Sequence, residues 1–129
     1  MFGFFNKKED PNRKILREQF EATTTALRAT DDLVQMAVGH SINIANSIFV
    51  KRYSSLSEFQ QLPKNERVLY IRKLTDMENK LAEKGDHHTL LGFSLFKMWV
   101  GAAAEIDTEL MDLFSNQLAY FSKKGDLPV

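Results

Sequence analysis

Three histidines and a set of carboxylates are the side chains here best suited to chemistry, and their spacing decides how much they can do. His87 and His88 are adjacent and follow Asp86, while His40 stands far upstream. Neighbouring residues on a helix point about 100° apart, so His87 and His88 cannot readily chelate one ion together. The helical ligand spacings H-E-x-x-H and E-x-x-H do not occur. No metal site is expected, and folding should not depend on metal. Glu105, Glu109 and Asp112 recur at i, i+4 and i+7, which puts three carboxylates on one face if the helix is continuous. Such a face repels itself unless a cation, a basic protein partner or a basic neighbouring helix answers it. Solvation or pairing within the fold is the favoured expectation.

Asp107 is the carboxylate with most to explain. On a continuous helix its neighbours are Val100, Ala103, Ala104, Leu110, Met111 and Phe114, so it projects toward the apolar side. An ionised carboxylate buried without a partner costs several kcal/mol or shifts its pKa upward. A polar partner is therefore expected: a threonine or serine of the first helix, His40, a basic side chain or water. The alternative makes Asp107 the polar anchor of a ligand pocket near Trp99, Phe93 and Phe96.

Catalytic templates find nothing to match. The sequence has no cysteine, no G-x-S-x-G and no glycine-rich phosphate loop. No catalytic residue, cofactor or metal is expected. The exposed-apolar signal is strongest at the N-terminus, where Phe2, Phe4 and Phe5 precede Lys7 and Lys8. As a membrane wedge this arm gives weak, reversible attachment, each lysine adding about 1 kcal/mol near an anionic surface. An arm folded onto its own bundle or onto a second subunit is the favoured alternative. It is too short and wrongly flanked for a signal peptide, so a cytoplasmic chain is expected.

Seventeen basic and seventeen acidic side chains cancel, which argues against nucleic acid as a partner. The charge is nonetheless segregated. Residues 51–84 hold eight Lys/Arg against five Asp/Glu, whereas residues 85–122 hold Lys97 alone against five acids. Two neighbouring elements of opposite sign should attract one another.

The elements that must position these groups are all helical. With 129 residues the chain is one domain, residues 1–9 forming an arm and 123–129 a tail. Asp10-Pro11 opens a helix. Leu16, Phe20, Thr23, Leu27, Thr30, Val34, Ala37, Ser41, Ala45 and Ile48 then follow at spacings of three and four. Thr30-Asp31-Asp32 could cap a second helix and Gly39 could weaken this one. The unshifted phase favours one long helix over about 11–52. A short turn over 57–62, with Ser57 and Gln60 as a capping box, leads to a basic helix over about 63–84 that stops at Lys84-Gly85. A last helix, apolar on two flanks, runs over about 87–122 and should be central. Its most apolar stretch, Leu90 to Ala104, is too short to span a bilayer and carries Lys97.

The expected fold is an all-α bundle with two long helices. The expected role is a non-enzymatic protein-interaction module: an adaptor, a secretion chaperone or an immunity-type protein. A small-molecule sensor is the alternative. A straight first helix of about 42 residues would span roughly 63 Å, and the second only half of that. Its seam would need outside cover, which predicts a homodimer.

Overall fold

The computed structural model describes residues 9–126, which form six helices and no strand. They are α1 (Pro11–Arg28), α2 (Asp32–Tyr53), α3 (Leu56–Gln60), α4 (Lys64–Lys84), α5 (His87–Ala104) and α6 (Thr108–Gly125). The all-α bundle is as expected, and α4 starts and stops where its sequence signals lie. Gly85 takes the left-handed conformation (φ 73°) that closes α4, and Asp86 caps α5 through Thr89 N at 3.3 Å.

Both long helices are broken, and each break has a local cause. The expected helix over 11–52 bends at Ala29-Thr30-Asp31. Thr30 Oγ1 donates to Leu27 O at 2.6 Å, Asp31 accepts from Val34 N at 3.0 Å, and Gln35 Nε2 donates to Arg28 O and Thr30 O at 3.1 and 2.9 Å. These side chains satisfy the backbone groups that two helix ends leave open. Apolar phase is blind to them, because the bend preserves the spacing of Leu27 and Val34.

The expected helix over 87–122 breaks at Glu105-Ile106-Asp107 in a Schellman turn. Asp107 N donates to Ala102 O at 3.0 Å and Ile106 N to Ala103 O at 3.0 Å. Gln60 Nε2 and Arg67 Nε reach across from the α3–α4 connection to Ala103 O and Ala104 O, at 3.2 and 2.9 Å. Glycine normally occupies the left-handed position of such a turn; here Ile106 does, with φ 53°. A β-carbon in that conformation costs about 1–2 kcal/mol. Because Ile106 is 53% exposed, its side chain contributes little burial in return. Ile106→Gly should therefore leave stability unchanged or raise it by up to about 1 kcal/mol, despite the unfolded-state entropy a glycine adds. Urea unfolding checks this, and a loss of more than about 1 kcal/mol would refute the strained turn.

The short helix also begins earlier than the expected 57–62. Its cap is Ser55, which accepts from Glu58 N at 3.2 Å, and the expected Ser57–Gln60 capping box does not form.

The helix α5 is central and packs against α2, α4, α6 and α1. Its core partners include Phe49, Phe59 and Tyr70, which join Phe96 and Trp99 in an edge-to-face aromatic cluster. Phe20 of α1 stacks on Phe114 of α6 with ring centroids 3.9 Å apart. The helix α2 lies against both α5 and α6 and buries Val38, Ile42, Ala45 and Phe49. Its length and mean hydropathy alone would let it cross a bilayer, a composition that a core helix flanked on two sides also reaches. With both long helices broken, α1 covers part of its own bundle, and the geometric need for a second copy over a straight seam is gone.

Candidate functional site

Asp107 closes the α5–α6 corner, and its partner is a basic side chain, Arg13 of α1. Arg13 Nε donates to Asp107 Oδ2 at 2.6 Å, while Asp107 Oδ1 caps α6 by accepting from Leu110 N at 3.1 Å. The carboxylate does not project from the apolar flank of a continuous helix. It is the N-cap of a new one, 21% exposed and turned toward α1. The Arg13 guanidinium holds Asp107 below the usual carboxylate range, against a partial burial that pulls the other way.

Arg13 is the hub of a wider network. It also donates to Glu109 at 2.6 Å and pairs with Glu9, which Arg17 holds at 2.8 Å. Arg17 in turn reaches Glu21 at 3.0 Å. Hydrogen bonds from Arg17 and then Arg13 bring the Glu9 carboxyl down to about 2. Glu9, Arg13, Arg17 and Glu21 recur every fourth residue, a signal for a charged stripe. Only the corner at Asp107, invisible to periodicity, gives that stripe a target across the fold.

The acidic triplet does not form one helical face. Glu105 ends α5, on the far side of the corner from Glu109 and Asp112 on α6. Glu105 lies 3.6 Å from Lys64 of α4, Glu109 pairs with Arg13, and Asp112 is exposed with no ion pair among the described residues. Lys97, the isolated base of α5, is half-buried and meets Glu78 of α4, which also accepts from Ser94.

The remaining candidates are scattered. His40, His87 and His88 are exposed, and no cluster of three or more metal-ligating residues occurs among the described residues. Phe93 and Phe96 are buried, while Trp99 is half-buried and donates its indole N–H to Ser115 Oγ at 2.9 Å. The cleft beside Trp99, about 190 Å³, is lined by residues of α2, α5 and α6 such as Asn43 and Ser115. Asp107 lines a different cleft of about 410 Å³ with Arg13, Lys64 and Glu105, where its carboxylate is already engaged. The sequence placed Asp107 and Trp99 in one pocket; the broken helix separates them. Phe2, Phe4 and Phe5, with Lys7 and Lys8, lie outside the described residues.

Charge pairing leaves exposed bases on several helices, and α4 carries the largest group among the described residues. On α4, Arg72, Lys73, Lys80 and Lys84 are exposed and have no carboxylate within ion-pairing distance among the described residues. Leu69 lies one turn before Arg72 and Lys73, on the same side, and is 47% exposed. Asp76 and Glu83, also exposed on α4 and without an ion pair among the described residues, offset part of this charge.

The chain matches no protein-family model, no curated protein and no solved structure. Its function must be read from its own surface.

Proposed function

We propose that this chain is a non-enzymatic protein-interaction module of the adaptor, secretion-chaperone or immunity type, and that its working surface is the outward face of α4. The observation that supports this reading is Leu69, half-exposed one turn before Arg72 and Lys73, on a face that Lys80 and Lys84 extend and where Asp76 and Glu83 offset part of the charge. An apolar contact beside an arginine–lysine pair suits a partner that presents acidic side chains next to an apolar one. Complementary charge sets the encounter rate and the choice of partner more than the final affinity. The sensor alternative is less well served. Its expected pocket around Trp99 is a cleft of about 190 Å³, below the roughly 300–1,000 Å³ of small-molecule sites, and Asp107, its expected anchor, is engaged by Arg13 elsewhere.

The test is loss of binding by substitution. A protein captured with the wild-type chain from the native host is purified and titrated against wild type, R72E/K73E/K80E and L69A. The charge reversals should weaken binding about tenfold or more and flatten its salt dependence, and L69A should speed dissociation. A partner that binds all three chains alike would remove α4 from the account.

A further inference from the structure

The bend between α1 and α2 is closed by short-range backbone bonds and by the side chains of Thr30, Asp31 and Gln35, and α1 meets the rest of the bundle at few points. Arg28-Ala29-Thr30-Asp31-Asp32 contains neither proline nor glycine, so nothing in the backbone forbids a helix there. The apolar phase runs through it unshifted, from Leu27 to Thr30 to Val34. Straightening would hand Arg28 O and Thr30 O to the amides of Asp32 and Val34 as ordinary i→i+4 bonds, releasing Gln35 from both. Gln35 is buried in the bent form with its Oε1 unpartnered, so the bend carries an acceptor that it does not satisfy.

α1 itself buries only Phe20, Thr24 and Leu27, where α5 buries eight residues. Three clefts border it. One of about 410 Å³ runs beneath Arg13, one of about 610 Å³ lies between Leu16 and Ile71, and one of about 220 Å³ separates Thr24 from Leu113. Its attachments are discrete and side-chain based: Arg13 to Asp107, Phe20 on Phe114, Arg28 to Gln117. Each can be made equally well by an identical α1 supplied from elsewhere.

We propose that α1 is an exchangeable element, and that the partner it fits is a second copy of this chain. The hinge at 29–31 straightens, α1 and α2 become one helix of about 65 Å, and each copy seats its α1 on the other's α5–α6 corner. The swapped dimer keeps the α1 contacts to α5 and α6, now in trans, and exchanges the side-chain bonds of the hinge for main-chain ones. This inference is independent of the α4 surface, which faces outward in both forms.

Light scattering on the full chain, equilibrated warm at high concentration, tests it with three variants. Wild type should show a slowly exchanging dimer at about twice the monomer mass of 14.8 kDa. T30A/D31A, which removes the side-chain caps of the bend, should tighten the dimer about tenfold or more. Asp32→Pro places proline at the first position of α2, where the bent form has no amide bond to lose and Asp31 is already extended (φ −75°, ψ 167°). In a straight helix the same proline lies in the interior, so D32P should weaken the dimer about a hundredfold or more while its melt stays cooperative. Thr30→Gly, which disfavours a continuous helix without adding a ring, should act in the same direction. Monomers for wild type and T30A/D31A alike would overturn the proposal. So would dimers that form as readily in D32P and T30G, because they would be joined through an ordinary surface.

Discussion

Gly39→Ala is expected to destabilise the chain by about 2–3 kcal/mol, whereas Gly101→Ala should leave it unchanged or up to about 1 kcal/mol more stable. Both glycines sit inside helices, where alanine is preferred by about 1 kcal/mol. What differs is the space in front of them. A β-carbon on Gly39 would lie 1.8 Å from Phe121 O and 2.7 Å from its carbonyl carbon, and one on Gly125 would lie 2.0 Å from His40 N. These are backbone atoms that cannot turn aside, because α2 and α6 cross in direct contact there. At Gly101 the nearest atom is Leu16 Cδ2 at 3.8 Å, an ordinary contact. The steric cost therefore wins at Gly39 and the helix preference wins at Gly101. Thermal melts should show Gly39→Ala lower by roughly 10 °C, with Gly39→Val lower still or unfolded. Equal melting points for the Gly39 and Gly101 alanine variants would mean that α2 and α6 do not approach so closely.

The second large effect is at Asp107, where two losses add. Asp107→Ala removes the cap of α6, worth about 1 kcal/mol, and a partly buried charge-assisted bond to Arg13, worth about 1.5–3 kcal/mol. An expected loss of about 2–4 kcal/mol follows, reduced to the extent that Arg13 keeps Glu9 and Glu109. Asp107→Asn retains an oxygen for Leu110 N and should lose roughly half as much. The pH dependence has a fixed sign. Asp107 and Glu9 are held below their ordinary values, so their stabilisation is fully present above those values and is lost as pH falls through the depressed ones. For Glu9 that window runs from the ordinary 4.5 down to about 2. Urea midpoints across the acid range should thus fall less steeply in Asp107→Ala than in wild type. Parallel acid limbs would show that Asp107 is not ionised against Arg13.

The helical class, the Lys64–Lys84 helix with its glycine stop, and the central position of α5 were all legible as periodicity and terminal signals. The two breaks were not. At 29–31 the side chains of Thr30, Asp31 and Gln35 supply the hydrogen bonds, and the apolar spacing passes through unchanged. At 105–107 the left-handed position is held by Ile106, a β-branched residue that no sequence rule would place there. The misplaced corner then shifted the site. Asp107 was rightly singled out as a carboxylate that needs a polar partner, but Arg13 could be identified only once the corner turned Asp107 toward α1. The acidic triplet failed for the same reason, since Glu105 is on the other side of the break. The unpaired bases of α4 emerged only once the ion pairs of the fold were placed.

The most direct measurement of the central claim is the reactivity of individual lysines toward an acylating reagent, with and without the captured partner. Lys73, Lys80 and Lys84 lie on α4, while Lys14, Lys51 and Lys123 are also exposed, on other helices. If α4 is the working surface, the first three should be protected about tenfold or more in the complex, and the second three should react as before. Protection of Lys14, Lys51 or Lys123 with the α4 lysines unchanged would contradict the account.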